Sequence, residues 1–245
     1  MTYHPDLTGH TALVTGASSG LGRRAAEVLS HAGAKVVGVA RRAEALAELD
    51  QVHPLPWNLS DRDRLAELAV AASQPFGAPD ILVHAAGINT REAADDVSPE
   101  GWDITLGLNL AVPFFLSQHL VPDMKAKGWG RIVNFASLQS SRAFPGGLSY
   151  GASKGGVAQL TRAMAEAWSS SGICVNAIGP GFFRTELTAA VFNDPERANR
   201  NAAQTCIGRN GEPKDLDGPL LFFCSDACAF VTGQVLMVDG GFTAK

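Results

Sequence analysis

The sequence predicts an α/β protein in which seven strands form one parallel, doubly wound sheet with helices on both faces. Three observations carry that expectation. Short apolar, β-branched runs alternate with stretches of helical periodicity from one end of the chain to the other. Most of these runs are apolar at consecutive positions, the pattern of strands buried on both faces. No linker, repeat or low-complexity segment divides the 245 residues, so residues 1–245 are expected to form one domain joined by right-handed crossovers.

The first strand is HTALVT, residues 10–15, and it stops at glycines. Leu21, Ala25, Val28 and Leu29 then recur at helical spacing until Gly33 ends the turn. AKVVGVA, residues 34–40, is a second buried strand, followed by a polar-faced helix over residues 42–49. HPLPWNL reads as an imperfect third strand, because Pro54 and Pro56 limit its ladder hydrogen bonds. Asp61 is placed to cap the next helix, which turns Leu65, Leu68 and Ala69 inward. DILVHAAG, residues 80–87, is the fourth strand, and a long helix follows over residues 99–127.

GRIVNFAS is the fifth strand, and a helix over residues 150–170 carries Val157, Leu160, Met164 and Trp168 on one face. ICVNAIGPG and QVLMVDGG supply the last two strands, with a helix over residues 213–225 between them. Residues 182–212 are polar, loop-rich and broken by Pro195, which predicts a mobile flap.

Composition narrows the function classes. With 46% hydrophobic and 18% charged residues the chain is a globular protein rather than a disordered one. A formal net charge of −4 gives no electrostatic footprint for nucleic acid or an anionic membrane. No unbroken apolar run approaches the roughly 18 residues of a membrane span. The opening MTYHPDLTGH lacks the basic and apolar regions of a signal peptide, so a cytoplasmic protein is expected. The four cysteines, Cys174, Cys206, Cys224 and Cys228, are too few for a disulfide framework. Cys224 and Cys228 could share a helix face, but no histidine lies near them to complete a zinc set. They are read as buried thiols, and no metal site is expected.

TGASSGLG, residues 15–22, joins the first strand to the first helix, the place where a doubly wound sheet binds a nucleotide. Glycines let backbone N–H groups approach a pyrophosphate, and the helix start offers partial positive charge. The spacing is G-x-x-x-G-x-G, with Ser18 and Ser19 inside it. At the tip of the second strand an NAD site generally carries an acid that accepts the ribose 2′-hydroxyl. This chain has Arg41 and Arg42 there, and its first acid is Glu44. A guanidinium can hold a 2′-phosphate bidentately where a carboxylate would repel it, so NADP is favoured over NAD.

Tyr150 and Lys154 lie four residues apart, on one face of a helix. A free tyrosine has a pKa near 10, about three units too high for a base at neutral pH, and a nearby ammonium supplies energy of the order needed to lower it. Lys154 is therefore expected to poise Tyr150 for proton exchange with an alcohol or ketone. Ser137 ends the fifth strand on the carboxyl edge, where ligands bind, and its hydroxyl could orient a substrate oxygen.

TGASSGLG, AAG at residues 85–87, Asn109 within LNL, Ser137, Tyr150-x-x-x-Lys154, Pro180–Gly181 and a terminal VDGG occur in order and together resemble the short-chain dehydrogenase/reductase family over essentially the whole chain. The resemblance implies a Rossmann-type fold, a general acid/base at Tyr150, a ribose-binding and pKa-lowering role for Lys154, and a Ser137 that holds the reacting oxygen. It implies that Asn109 interrupts its long helix and supports a water-mediated proton relay to Lys154. It places Gly16, Gly20, Leu21 and Gly22 around the diphosphate and Asn58 and Leu59 beside the adenine. Ala86, Gly87, Pro180, Gly181, Phe183 and Thr185 would line the ribose and nicotinamide.

Two departures stand out. His84 and Ala85 stand where the family often has asparagines, and His84, inside a buried strand, is read as a structural substitute. Asn58 stands where the family commonly has aspartate near the adenine.

Within the family, AGINTREAADDVSPEGWD and the chain end resemble sugar-acid and polyol dehydrogenases, such as gluconate 5-dehydrogenases and 2-deoxy-D-gluconate 3-dehydrogenases. Such substrates carry a carboxylate, and Arg91, Arg142 and Arg184 fall on segments bordering the expected pocket, where one could clamp it. A 3-oxoacyl-(acyl carrier protein) reductase would share the same motifs, although no cluster of basic residues marks a landing surface for an acidic carrier. A dinucleotide-binding regulator without turnover is a third reading, against which the retained Tyr150 argues. The resemblance also implies a homotetramer, for which the helices around Phe114, Phe115 and Leu116 and around Met164 and Trp168 offer apolar surface.

Overall fold

The structure is a computed structural model that describes residues 5–245, so the first four residues of the opening stretch lie outside it. In chain order its elements are β1 Thr11–Thr15, α1 Gly20–His31, β2 Lys35–Ala40, α2 Ala43–Ala47, β3 Val52–Pro56 and α3 Leu65–Ser73. There follow β4 Ile81–His84, α4 Pro99–Leu106, α5 Val112–Lys127, β5 Gly130–Phe135, α6 Leu148–Trp168 and β6 Ile173–Pro180. The last are α7 Ala189–Phe192, α8 Pro195–Gln204, α9 Asp217–Phe223 and β7 Val235–Val238. The strands make one seven-stranded sheet in the order β3-β2-β1-β4-β5-β6-β7, every pairing parallel.

Successive strand residues point to opposite faces and feed two cores. Ala12, Val14, Ile81, Val83 and Val133 pack with Ala25 and Leu29 of α1 and Leu220 and Phe223 of α9. Leu13, Val37, Leu82 and Ile132 pack on the other face with Leu65 and Leu68 of α3, Leu116 and Leu120 of α5 and Met164 of α6. This is why the strand segments read as continuous apolar runs. The strand order reverses between β1 and β4, and the crevice beyond their carboxyl ends is where a ligand is expected.

Several local expectations need correction. Asp61 accepts no backbone N–H with its side chain; a short 3-10 turn, Arg62–Arg64, follows it, and α3 starts at Leu65. α6 begins at Leu148, before Tyr150, so the tyrosine sits inside the first turn. The segment read as loop-rich holds α7 and α8, and Pro195 starts α8 rather than breaking a helix: it follows Asp194, whose carboxylate accepts from Arg197 N at 3.1 Å. Proline at a first helical position loses no hydrogen bond. Cys174, Cys224 and Cys228 are buried, but Cys206 is exposed.

Pro54 and Pro56 do not cost β3 its ladder. Trp57 N donates to Ala40 O at 2.8 Å, so the odd-numbered residues of β3 face β2 and the prolines face outward on the sheet edge.

Helical structure runs unbroken from Pro99 to Lys127, through a π-helical segment, Gly107–Ala111, between α4 and α5. By length and mean hydropathy (1.4 over 18 residues) this run could cross a membrane, although no unbroken apolar stretch of that length exists in the sequence. Half of that window is buried within the protein, as expected of a core helix.

Candidate active site

A cleft of about 510 Å³ opens beyond the carboxyl edge of the sheet, bordered by the β1–α1 loop, the tip of β2 and residues following β4, β5 and β6. Its floor is set by two close backbone approaches. A Cβ on Gly16 would lie 2.8 Å from Ala86 N, and one on Gly22 would lie 2.3 Å from Gly16 O. Gly16 also has φ +71°, a conformation that side chains resist. The loop thus curls tightly over β4, and α1 begins with no acid in its first turn and no side-chain cap from Ser19. Such a helix start suits an anion. Thr15 ties the two strands together, its hydroxyl accepting from Ala86 N at 3.2 Å and donating to Val83 O at 3.4 Å.

Arg41 and Arg42 follow β2 at one end of the cleft. Arg42 donates through Nε and Nη2 to Ser18 Oγ, at 3.2 and 3.1 Å, and through Nη1 to Glu186 Oε1 at 2.9 Å. Next to them, Trp57, Asn58 and Leu59 form a wall, with the Arg64 guanidinium 4.5 Å from the Trp57 ring centre. The Trp57 indole N–H is buried without a partner. A glycine cradle that any Cβ would fill, an uncapped helix start, two arginines and an unpartnered indole donor fit an elongated dinucleotide.

At the other end, α6 delivers Tyr150 and Lys154 and the turn after β5 delivers Ser137. Burial raises the Tyr150 phenol above its ordinary pKa, while a hydrogen bond with Ser137 and the charge of Arg91 pull it down. The sequence assigned that lowering influence to Lys154. In the structure the Lys154 ammonium donates to Phe135 O at 2.5 Å and lies 5.6 Å from the Tyr150 ring centre, and burial pushes its pKa down to about 8. Ser137 is fixed by its own turn: its hydroxyl accepts from Gln139 N at 3.1 Å, and its N–H donates to Ser140 Oγ at 3.2 Å. Ser140 in turn donates to Lys154 O at 2.8 Å, locking this turn to α6.

Asn109 occupies the π-helical segment, as expected of a residue that interrupts its helix. It does not line the cleft but braces it. Its carbonyl accepts from Ile88 N and its amide donates to Ile88 O, both at 2.9 Å, and the amide also donates to Ser153 Oγ at 3.0 Å. A Cβ on Gly87 would lie 3.2 Å from Asn109 Oδ1 and 3.8 Å from Lys154 Nζ, so these three residues converge.

The remaining expected cofactor residues, Gly16, Ser18, Ser19, Gly20, Leu21, Gly22, Ala86, Gly87, Pro180, Gly181, Phe183 and Thr185, all line the cleft. The substrate arginines divide. Arg91 lines the cleft, its backbone in the left-handed region at φ +58°, and donates to Leu187 O at 2.5 Å. Arg142 turns away to Thr243 O and Lys245 O, and Arg184 stacks 4.9 Å from the Phe192 ring centre in a separate depression. Neither borders the cleft. Arg197 of α8, Glu186, Gln139 and the paired rings of Phe144 and Phe182 line it and were missed. Sequence spacing holds no signal for them, since each arrives on a turn whose direction packing decides.

His84 is structural in its contacts. Ser117 donates to Pro113 O at 2.7 Å, so its hydroxyl oxygen accepts from His84 Nε2 at 2.9 Å, leaving Nδ1 unprotonated and unpartnered. Burial drives the histidine pKa down to about 3.

Known proteins share this architecture. A family model described as enoyl-(acyl carrier protein) reductase, of the short-chain alcohol dehydrogenase type, matches residues 16–243. The chain is 39% identical to gluconate 5-dehydrogenase of Gluconobacter oxydans over 99% of both chains. It is 35% identical to a 3-oxoacyl-[acyl-carrier-protein] reductase of Vibrio cholerae, over 96% of this chain and 98% of that one. The crystal structure of a gluconate 5-dehydrogenase from Burkholderia cenocepacia in complex with NADP and tartrate superposes with a TM-score of 0.93 at 34% identity, covering 98% of this chain and 97% of that one.

Proposed function

The chain belongs to the short-chain dehydrogenase/reductase family and is an NAD(P)-dependent oxidoreductase acting on CH–OH groups, and from that premise we propose that it interconverts a sugar acid and its keto form with NADP as the preferred cofactor. The observation that carries the substrate reading is that Arg91 shares the cleft with Tyr150 and acts electrostatically on its phenol. A guanidinium there can take a carboxylate in fork geometry while the reacting carbon lies at the tyrosine.

In this reading the glycines of the β1–α1 loop and the start of α1 hold the diphosphate, Asn58 and Leu59 border the adenine, and Ala86, Gly87, Pro180, Gly181, Phe183 and Thr185 line the nicotinamide end. When bound, the nicotinamide supplies or accepts a hydride. Tyr150 gives a proton to the substrate oxygen on reduction and takes it on oxidation. The phenol's raised pKa keeps it protonated for the first task, and the Ser137 bond and Arg91 charge ease the second. Ser137, already oriented by Gln139 N, holds the reacting oxygen. Lys154 contributes a buried ammonium to the ribose, and Asn109 fixes Ile88 and Ser153 so that the path between Lys154 and solvent keeps its shape. The NADP preference rests on the arginines after β2 and on the lack of an acid there, and a relative of known structure was found with NADP.

Residues 182–212 serve in this reading as a flap carrying Glu186, Leu187 and Arg197 over the cleft. A homotetramer through α5 and α6 accords with the exposed Phe115 and with a groove between Phe114, Leu160 and Trp168. Leu116 and Met164, counted on as surface, are buried in the chain's own core. The reading is tested by initial rates on sugar acids, polyols and acyl thioesters with NADP(H) and NAD(H) separately. NADP-dependent turnover of a sugar acid is expected. Preferred reduction of a 3-oxoacyl thioester would overturn the substrate assignment, because such a substrate brings no carboxylate for Arg91.

A further inference from the structure

The tip of β2 carries no acid, yet the fold brings one there. Glu186, 144 residues away from Arg42, sits with its carboxylate 2.9 Å from the Arg42 guanidinium. It also takes a hydrogen bond from Ser19 of the glycine loop, and Arg42 together with Ser19 holds the Glu186 carboxyl below its usual range. With Nε and Nη2 on Ser18 Oγ and Nη1 on Glu186, both edges of the Arg42 fork are engaged. Arg41 beside it makes no hydrogen bond or ion pair among the described residues. The next residue, Leu187, accepts from Arg91 at the far end of the cleft. One two-residue turn is therefore pinned at both ends, to the arginine beside the adenosine and to the arginine beside the reacting group.

We propose that Glu186 is an internal anion that occupies the 2′-phosphate position on Arg42, making it a specificity-determining residue for the cofactor and a latch on the flap that follows it. This rests on the assignment of Arg42 to the 2′-phosphate. A phosphate carries more charge than a carboxylate and offers three acceptor oxygens, so it replaces Glu186 on the guanidinium. A cofactor with a bare 2′-hydroxyl has no charge with which to do so and leaves the Arg42–Glu186 pair intact. Binding of the phosphorylated dinucleotide thus costs the pair and frees residues 186–187 from the cofactor side. Binding of the unphosphorylated one does neither. The pair is largely exposed, 49% and 65% for the two side chains, which limits its worth.

The test is equilibrium binding, read by fluorescence, of NADPH, NADH, 2′,5′-ADP and 5′-ADP to the full chain, to Glu186→Gln, to Arg42→Ala and to Arg41→Ala. Glu186→Gln is expected to tighten NADPH and 2′,5′-ADP by about two- to five-fold, the range an exposed ion pair supports, and to move NADH and 5′-ADP by less. In the wild type, 2′,5′-ADP and not 5′-ADP is expected to speed hydrogen exchange at residues 186–192, and Glu186→Gln to show the faster exchange without ligand. An unchanged or uniform response of all four ligands to Glu186→Gln, with Arg42→Ala still selective against NADPH, overturns the glutamate's role alone. If only Arg41→Ala weakens the phosphorylated ligands, or Arg42→Ala weakens all four alike, the Arg42 assignment falls and the inference with it.

Discussion

Arg91 and Tyr150 lie in one cleft, and the arginine's charge acts with a hydrogen bond from Ser137 to oppose the burial that raises the phenol's pKa. The arginine reaches its place on a backbone held at φ +58° and braced by Leu187 O. In the proposed reading, substrate anchoring and proton exchange meet in one pair of side chains. Arg91→Ala is expected to raise KM for a sugar acid by about 10- to 100-fold, the loss of a charge-assisted contact of roughly 1.5–3 kcal/mol. The pH profile of oxidation is expected to move to higher pH. A neutral polyol would lose far less in KM, and equal losses on both substrates would dismiss the carboxylate contact.

Tyr150→Phe is expected to lower kcat by about 10²- to 10⁴-fold, the usual size of a lost general acid/base, with dinucleotide affinity kept. The chain has two tyrosines, Tyr3 and Tyr150. A phenolate absorbance titration of the protein without dinucleotide should show one group ionising above the ordinary value of 10.0, and that step should vanish in the variant.

His84 makes the fold sensitive to acid. Its folded pKa of about 3 lies below the ordinary 6.5, so between those values the unfolded chain binds the extra proton and stability falls as pH falls. The slope is at most about 1.4 kcal/mol per pH unit, present from about 6.5 downward. Urea midpoints measured from pH 7 to 4 should decline more steeply for the wild type than for His84→Asn. Parallel declines would mean that the histidine is not buried as a neutral group.

Glycines in two places should respond oppositely to one added methyl. Gly22→Ala puts a Cβ against Gly16 O, where 2.3 Å is available, and should weaken both stability and dinucleotide binding. Gly218→Ala in α9 meets nothing within 4 Å and should be neutral or stabilising by up to about 1 kcal/mol. Thermal melts with and without NADPH separate the two.

Much of the fold was legible because its signals are local. A doubly buried strand writes itself as an apolar run, and the glycine loop and the Tyr150–Lys154 spacing each lie within a few residues of sequence. The motif marked Asn109 as a helix-interrupting relay residue, but not its bracing of Ile88, which lies 21 residues away. What could not be read depends on the direction a turn takes after leaving an element. Arg91, Arg142 and Arg184 look alike in sequence, yet only the first enters the cleft, the second being drawn to the chain end and the third onto Phe192. Glu186 and Arg197 arrive by the same kind of tertiary choice. Asp61 failed as a cap because a tight turn intervened before α3, and Cys206 is exposed on the flap segment, its thiol donating to Gly241 O.

The outward prolines of β3 make the two margins of the sheet unequal. At Pro54 and Pro56 a neighbouring chain would find no N–H to pair with, whereas β7, Val235–Val238, contains no proline. Extension of the sheet by another molecule is thus disfavoured on the β3 side. Two copies meeting β7 to β7 would each turn the proline-bearing margin outward, which disfavours the addition of further strands.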